Sequence, residues 1–201
     1  MENYSENSLE SILARRMSFG TRFGAWIVDA ILIIVLSVAL GSTIGAMFGL
    51  TLGNEATKGM TKENAELAIT AVSGLGLIMG AMAGFMGMTL AIPLFSTLFS
   101  LLEAFTGRTP AKLLFGLVVA NQDGTKGDIS MLGLRAAIKI IPHILIFASI
   151  TTKIEALNTI GVAISLLIFI GSFFVLSEKK QAFHDLIAKT AVFRASEIEK
   201  N

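Results

Sequence analysis

The chain has 201 residues, of which 53% are hydrophobic and 15% charged, and 19 glycines lie among its apolar stretches. Several uncharged runs exceed the roughly 20 residues needed to cross a bilayer, which excludes an ordinary water-soluble domain. The absence of cysteine excludes disulfides, thiolate nucleophiles and cysteine-based zinc sites. A net charge of +1 says little about partners, and we expect the lipid bilayer rather than nucleic acid.

The N-terminal segment, residues 1–21, contains no short apolar core followed by a small-residue cleavage site. We therefore predict no removable signal peptide, and the first span should stay as an anchor. Within residues 8–19, four apolar side chains share one helical face beside two arginines: Leu9, Ile12, Leu13, Met17, Arg15 and Arg16. This pattern favours a short interfacial helix on the inner leaflet, with a frayed tail as the alternative.

Four apolar segments follow: Phe23–Leu52, Leu67–Leu102, a weaker one around Ala136–Ile150, and Ala156–Leu176. Unpaired backbone N–H and C=O groups are too costly in lipid, so each of these segments should be helical. The predicted fold is therefore all-α: a four-helix transmembrane bundle over residues 22–194, with long first and second helices and a C-terminal tail over 195–201. Lys139, Pro142 and His143 interrupt the third segment, which should nevertheless cross, since otherwise the basic tail would lie outside.

Lysine and arginine set the orientation. Basic residues precede span one, lie between or just within spans two and three, and follow span four: Arg15, Arg16, Arg22, Arg108, Lys112, Lys126, Arg135, Lys139, Lys179, Lys180, Lys189, Arg194 and Lys200. The alternate loops hold only Lys58, Lys62 and Lys153. The positive-inside rule then places both termini and the middle loop in the cytoplasm, and predicts a multi-pass protein of the plasma or inner membrane.

Glycine rows at four-residue spacing mark the first two spans: Gly41, Gly45 and Gly49 in the first, and Gly76, Gly80 and Gly84 in the second. Small side chains let two helices approach closely, so the rows predict packing between spans one and two, within one chain or between copies of a homo-oligomer. The alternative is that glycine is simply common in membrane helices.

Asp29 is the most informative residue, because a lone carboxylate inside an apolar span costs about 2.5 to 3.5 kcal/mol to insert and so marks a functional site by default. Arg22 lies two turns away on the same face, about 10 Å along the axis, which is too far for a simple direct pair. Arg135, Lys139 and His143 form a basic stripe at four-residue steps, and we predict that this stripe faces Asp29. A purely structural ion pair remains equally open.

The middle loop carries the motif Gly107, Thr109, Pro110, Lys112 and Gly116. Thr109 before Pro110 predicts the start of a short helix that ends near Gly116. The β-prone residues 117–120 and the Asp123–Gly124 turn then predict a small cytoplasmic hairpin. In the C-terminal stretch, His184 and Asp185 fall just past span four, at the inner interface.

The chain resembles the RDD family of multi-pass membrane proteins over residues 17–194. Its matching parts are Arg22 with Asp29, the Gly-Arg-Thr-Pro-Ala-Lys-Leu-Leu-Phe-Gly-Leu-Val-Val segment ending at Val119, Arg135, and Gln181-Ala-Phe-His-Asp-Leu-Ile-Ala-Lys-Thr190. The resemblance implies that the name-giving arginine and two aspartates are Arg22, Asp29 and Asp185. One departure is Ala111, where the family usually has glycine. Cation/proton exchange has been proposed for some members.

Three functions remain open. As a transporter, the protein would exchange a small cation (Na⁺ or H⁺) through Asp29, with Glu103, His184 and Asp185 lining a cytoplasmic entrance. As an accessory or scaffold subunit, it would bind a membrane-protein partner and use the polar cluster as a brace; the lack of a visible internal repeat favours this. The third is lipid or amphiphile binding at the basic rim. No catalytic set, metal site or cofactor site can be assembled, so we expect no enzyme.

Overall fold

The computed structural model describes residues 10–59 and 61–198, leaving aside the side-chain surroundings of residues 48–50, 52–54, 56–57, 62–80 and 83. Four helices are long and apolar enough to cross a membrane, which confirms the four predicted spans. They are α1 (Phe19–Thr57), α2 (Lys62–Thr106), α4 (Ile129–Thr152) and α5 (Glu155–Ser172). Pro93 lies inside α2. Pro142 lies inside α4, which is one continuous helix, so the expected interruption of the third span is absent.

Short elements occupy the rest of the described chain: a helical segment at residues 10–15, α3 (Pro110–Leu114), β1 (Leu117–Asn121), a 3₁₀ turn (Phe173–Leu176), α6 (Phe183–Ile187), β2 (Thr190–Arg194) and α7 (Ala195–Ile198). The two strands pair antiparallel, with Leu117 opposite Arg194 and Asn121 opposite Thr190. The all-α prediction is therefore wrong in this detail. The local hairpin prediction is also wrong, because β1 takes its partner strand from the C-terminal end of the chain.

The short elements form a conformational repeat. Residues 107–121 contain a helix, a left-handed residue and a strand, and residues 180–194 contain the same series 73 positions later, since Pro110 corresponds to Phe183 and Leu117 to Thr190. The left-handed positions also correspond: Gly107 (φ 71°) with Lys180 (φ 48°), and Gly116 (φ 64°) with Lys189 (φ 51°). We call these stretches the first and second repeats.

The central strand residues of the two repeats, Val119 and Val192, face each other across the sheet. The register is therefore symmetric about this pair, as expected for two units related by an approximate two-fold axis. The expectation of no internal repeat is corrected here. The sequence hides the repeat because only Leu113 with Leu186 and Val119 with Val192 are identical between the two stretches.

The sheet is buried on both faces, which explains its nearly uninterrupted run of apolar residues. One face packs on the spans, where Leu117, Val119 and Val192 meet Ala25 of α1 and Leu132 of α4. The other face packs against α7 and the N-terminal helical segment, through Val118, Ala120, Ala191, Phe193, Ala195, Ile198 and Ile12.

The N-terminal segment packs on this sheet. Its helix ends at Arg15, and the backbone N–H of Met17 donates to the carbonyl of Val192 at 2.9 Å. Ile12 and Met17 pack against opposite faces of the sheet, so the prediction that they share one helical face is wrong. Leu9 lies outside the described residues.

The predicted close packing of glycines from the first two spans occurs at one place, where Gly41 of α1 meets Gly84 of α2. A Cβ added to Gly41 would lie 2.6 Å from the carbonyl oxygen of Gly84, and one added to Gly87 would lie 3.0 Å from the Cα of Gly41. Glycine at these positions therefore lets two helix backbones touch within one chain. Gly45 is also buried, whereas the surroundings of Gly49, Gly76 and Gly80 lie outside the described part of the structure.

Candidate functional site

Asp29 caps the short helix of the first repeat. Its Oδ1 accepts a hydrogen bond from the backbone N–H of Ala111 at 3.0 Å, and its Oδ2 accepts one from the hydroxyl of Thr109 at 2.5 Å. The Thr109 hydroxyl oxygen in turn accepts from the N–H of Lys112 at 3.3 Å. The first N–H groups of a helix lack partners within the helix and favour a nearby negative charge. Asp29 therefore provides an acceptor for the start of α3 and attaches α3 to α1.

Asp185 caps the short helix of the second repeat from within that helix. Its Oδ2 accepts from the backbone N–H of Ala182 at 3.1 Å, at the start of α6. The carboxylate is completely buried and forms ion pairs with Arg22 and with Arg135, whose Nε lies 2.8 Å from Oδ1. Arg22 also donates to the carbonyl of Lys180 at 2.9 Å. A helix-capping carboxylate is thus tied to α1 and α4 by two guanidinium groups.

Arg22 and Asp29 therefore act on different repeats from one face of α1. Asp29 accepts from the start of α3, and Arg22 donates to the carboxylate at the start of α6. The prediction that these two residues do not pair directly agrees with these contacts. The two residues are two helical turns apart on α1, and each contacts a different short helix.

Glu103, in the last turn of α2, is the centre of a second charged group. It is buried and pairs with Lys112 of α3 and with Arg135 and Lys139 of α4. The Arg135 bond measures 2.7 Å. Arg135 joins the two groups, because it contacts both Glu103 and Asp185.

The basic residues Arg135 and Lys139 of α4 form their ion pairs with carboxylates other than Asp29. Arg135 and Lys139 pair with Glu103, and Arg135 also with Asp185, whereas the carboxylate of Asp29 is bound by α3. His143 lies one turn further along α4, is half-buried, and its Nδ1 has no hydrogen-bond partner among the described residues. No ion pair between the basic stripe of α4 and Asp29 is among the described contacts, although Lys139 lies close enough for the charge of Asp29 to act on it. Sequence spacing gave the basic face of α4 but not the ion-pair partner of each residue on it.

His184 is buried beside this network. Its Nε2 lies 3.2 Å from a guanidinium nitrogen of Arg135, which can only donate, so Nε2 is the acceptor and the proton of the neutral ring is on Nδ1. Burial lowers the pKa of His184 well below its ordinary value of 6.5, and Arg135 lowers it further against the opposing effect of Asp185. His184 is therefore neutral at physiological pH.

Asp185 remains ionised for the opposite reason. Burial alone raises its pKa, but the guanidinium groups of Arg135 and Arg22 outweigh burial and hold the pKa well below its ordinary value of 3.8. The neighbouring charges thus favour the carboxylate more than the lost hydration disfavours it.

The loop motif shapes the first repeat. Thr109 is the N-cap and Pro110 the first residue of α3, as predicted. Gly116 supplies a left-handed turn, and Gly107 does the same where an added Cβ would lie 2.9 Å from the carbonyl oxygen of Val119. Ala111 has helical neighbours and is fully buried in the core, so the glycine usual in the family is not required here by backbone conformation.

Arg16 has a structural role that its place in a basic stretch of the sequence does not indicate. It is buried and donates to the carbonyls of Lys179 at 2.8 Å and Gln122 at 2.6 Å, and to the Gln181 side chain at 3.0 Å. Gln181 in turn donates to the carbonyl of Thr190 at 2.7 Å. Arg16 thus ties the N-terminal segment to Gln181 of the second repeat and to Gln122, the residue that follows the first repeat. Composition alone gives no signal of this.

These features define a membrane protein with four apolar helices and a small polar module, built from two repeats, attached to the helix ends. Residues 16–189 match the family model described as RDD family, and the chain belongs to that family. No curated protein and no solved structure gives a match. Among the side chains that the structure describes, no three histidine, aspartate or glutamate residues gather in a way that could hold a metal ion.

Proposed function

We propose that this RDD-family protein is a non-catalytic accessory or scaffold subunit of the plasma or inner membrane, with both termini cytoplasmic. The charged network braces the two repeats against the spans and so presents them, with α7 and the N-terminal segment, as a fixed cytoplasmic surface for a membrane-protein partner.

One observation supports this proposal: each acidic residue of the network already has partners from the same chain. Asp29 is bound by Thr109 and Ala111, Asp185 by two arginines, and Glu103 by three basic side chains. A cation site needs carboxylate oxygens that a mobile ion can reach, and the surrounding positive charge opposes its entry. Buried paired charges of this kind fix the arrangement of the elements they join.

Exchange of a small cation for protons is the second candidate, and one contact favours it. Both groups bound to Asp29 are neutral, a hydroxyl and a backbone amide, so no direct ion pair holds its charge. A carboxylate in this position could take up a proton during a transport cycle.

Proton flux driven by a Na⁺ gradient across proteoliposomes separates the two candidates, when wild type is compared with Asp29→Asn and the stability of both is measured in detergent. The scaffold proposal predicts no flux above empty vesicles for either protein. Flux in wild type that disappears in an equally stable Asp29→Asn protein would establish transport and overturn the scaffold proposal.

A partner-binding measurement completes the test. A photo-crosslinking residue at Ser196, exposed on α7, should give a defined protein adduct in native membranes. The same residue at Leu166, exposed on α5, serves as the control for random membrane contacts. Identical adduct patterns at the two positions would contradict the proposed docking surface.

A further inference from the structure

Both repeats expose apolar side chains on their short helices. In α3, Leu113 is 63% and Leu114 75% exposed; at the corresponding positions of α6, Leu186 is 38% and Ile187 45% exposed. The buried residues are Ala111 of α3, which lies in the apolar core, and His184 and Asp185 of α6. Each helix therefore has an exposed apolar side, while Lys112 of α3 and Asp185 of α6 join it to the charged network.

The two repeats share few residues, yet both keep large apolar side chains at these positions. Chance exposure of single apolar residues is common and needs no explanation. Here the apolar character recurs at equivalent places of two stretches whose other residues differ almost throughout. A common environment for both helices accounts for this recurrence.

The surfaces next to these helices belong to the membrane spans. In α2, which ends four residues before α3 begins, Phe105 is 73% exposed. Between α5 and α6, Phe174 and Leu176 are 51% and 67% exposed. Exposed apolar residues of the short helices thus follow directly on those at the ends of α2 and α5, where the spans would meet the lipid headgroups and first acyl carbons.

We propose that α3 and α6 form a pair of interfacial anchors, whose Leu113, Leu114, Leu186 and Ile187 insert into the acyl boundary of the adjacent leaflet. The occupant of this surface is phospholipid, and the paired insertion holds the β1–β2 sheet close to the membrane plane. Insertion of an apolar helix face to this depth is the arrangement of helices that lie in an interface. This inference does not depend on the scaffold or transport proposals.

Tryptophan quenching tests the insertion directly, since Trp26 is the single tryptophan of the chain. In a Trp26→Phe background, Leu114→Trp and Ile187→Trp are reconstituted in phosphatidylcholine vesicles brominated at acyl carbons 6 and 7 or at 11 and 12. Both should be quenched at least two-fold more by the shallow bromines than by the deep ones. Leu166→Trp in α5 should show the reverse order, and Ser196→Trp on α7 no quenching.

Quenching of Leu114→Trp and Ile187→Trp no stronger than that of Ser196→Trp overturns the proposal. So does quenching at one of the two positions only, because the inference rests on their equivalence. Protection from both bromolipid and aqueous acrylamide also overturns it, since protein, from a second copy or a partner, would then cover the surface. If Leu114→Trp lowers the yield of folded protein, Leu113→Trp on the same exposed face replaces it.

Discussion

The two repeats reach the same backbone conformation with different side chains, and the difference lies in where the capping carboxylate comes from. In the first repeat the carboxylate is Asp29, which belongs to α1, so a single residue both caps α3 and attaches it to a span. In the second repeat Asp185 belongs to α6 itself. Attachment to the spans then requires Arg22 and Arg135. At its capping carboxylate the second repeat is therefore held by buried charge pairs, whereas the cap of the first repeat is made by neutral groups and its charge pair, Lys112 with Glu103, lies elsewhere on α3.

The contrast between the repeats gives a physical role to the three residues that the resemblance to the family singled out. Arg22, Asp29 and Asp185 together attach two short helices to one face of α1. Their separation in sequence reflects the two attachment routes.

The largest expected effect is that of Asp185→Asn. Loss of its charge leaves the buried guanidinium groups of Arg22 and Arg135 without this partner, and removing one side of a buried ion pair typically costs about 3 to 5 kcal/mol. Chemical unfolding in detergent, followed by a fluorophore near β2, should show this loss. Asp123→Asn in the exposed turn is the matched control and should change little. Equal stability of the two variants would show that the second repeat does not depend on its ion pairs.

The corresponding change in the first repeat is Asp29→Ala, for which we expect a smaller loss of about 1 to 2 kcal/mol, typical of a removed helix cap. Asp29→Asn should retain most of the stability, because the amide oxygen can still accept from the N–H of Ala111 and the amide NH₂ can donate to the hydroxyl oxygen of Thr109. The same unfolding measurement serves both variants. If Asp29→Asn is as damaging as Asp29→Ala, the charge of Asp29 matters more than its role as acceptor, and the contrast between the repeats fails.

The second repeat should also be the more sensitive to mild acid, through His184. Its pKa is lower in the folded protein than the ordinary 6.5, so below that pH the unfolded chain binds the proton first. The stability it contributes is complete above pH 6.5 and declines as the pH falls toward the lowered pKa, by at most about 1.4 kcal/mol per pH unit.

Unfolding free energies between pH 7.5 and pH 5 test this dependence. His184→Gln should remove most of the decline in that range, whereas the ion pairs of Asp185 should persist, since its pKa lies well below 3.8. An unchanged pH profile in His184→Gln would assign the decline to another group.

The smallest effect concerns the first repeat at Ala111, which is buried and lies within α3. Ala111→Gly, which restores the residue usual in the family, should destabilise by about 0.5 to 1 kcal/mol, because the helix loses a packed methyl group and gains backbone freedom when unfolded. A melting-temperature shift of a few degrees downward would be the observable. An upward shift would indicate that the first repeat is strained by its alanine.

The sequence was sufficient for the spans, since long apolar runs have one stable form in lipid. It also predicted α3, because Thr109 and Pro110 are strong local signals, and it singled out Arg22, Asp29, Glu103, Arg135 and Asp185. The pairing among these charges could not be predicted, since helical spacing gives the face of a helix but not the element opposite. The β1–β2 pair was missed for a similar reason: its partner strands are far apart in sequence, and each is too short to indicate a register.

The strand pairing has a consequence for biosynthesis. β1 leaves the ribosome about 70 residues before β2, so the sheet can close only after Thr190–Arg194 has been translated. Until then Leu117 and Val119 of β1, and the capped helix α3 before them, have no partner strand. Termination between Leu176 and Thr190 would leave four inserted helices with an open strand edge exposed to quality-control proteases.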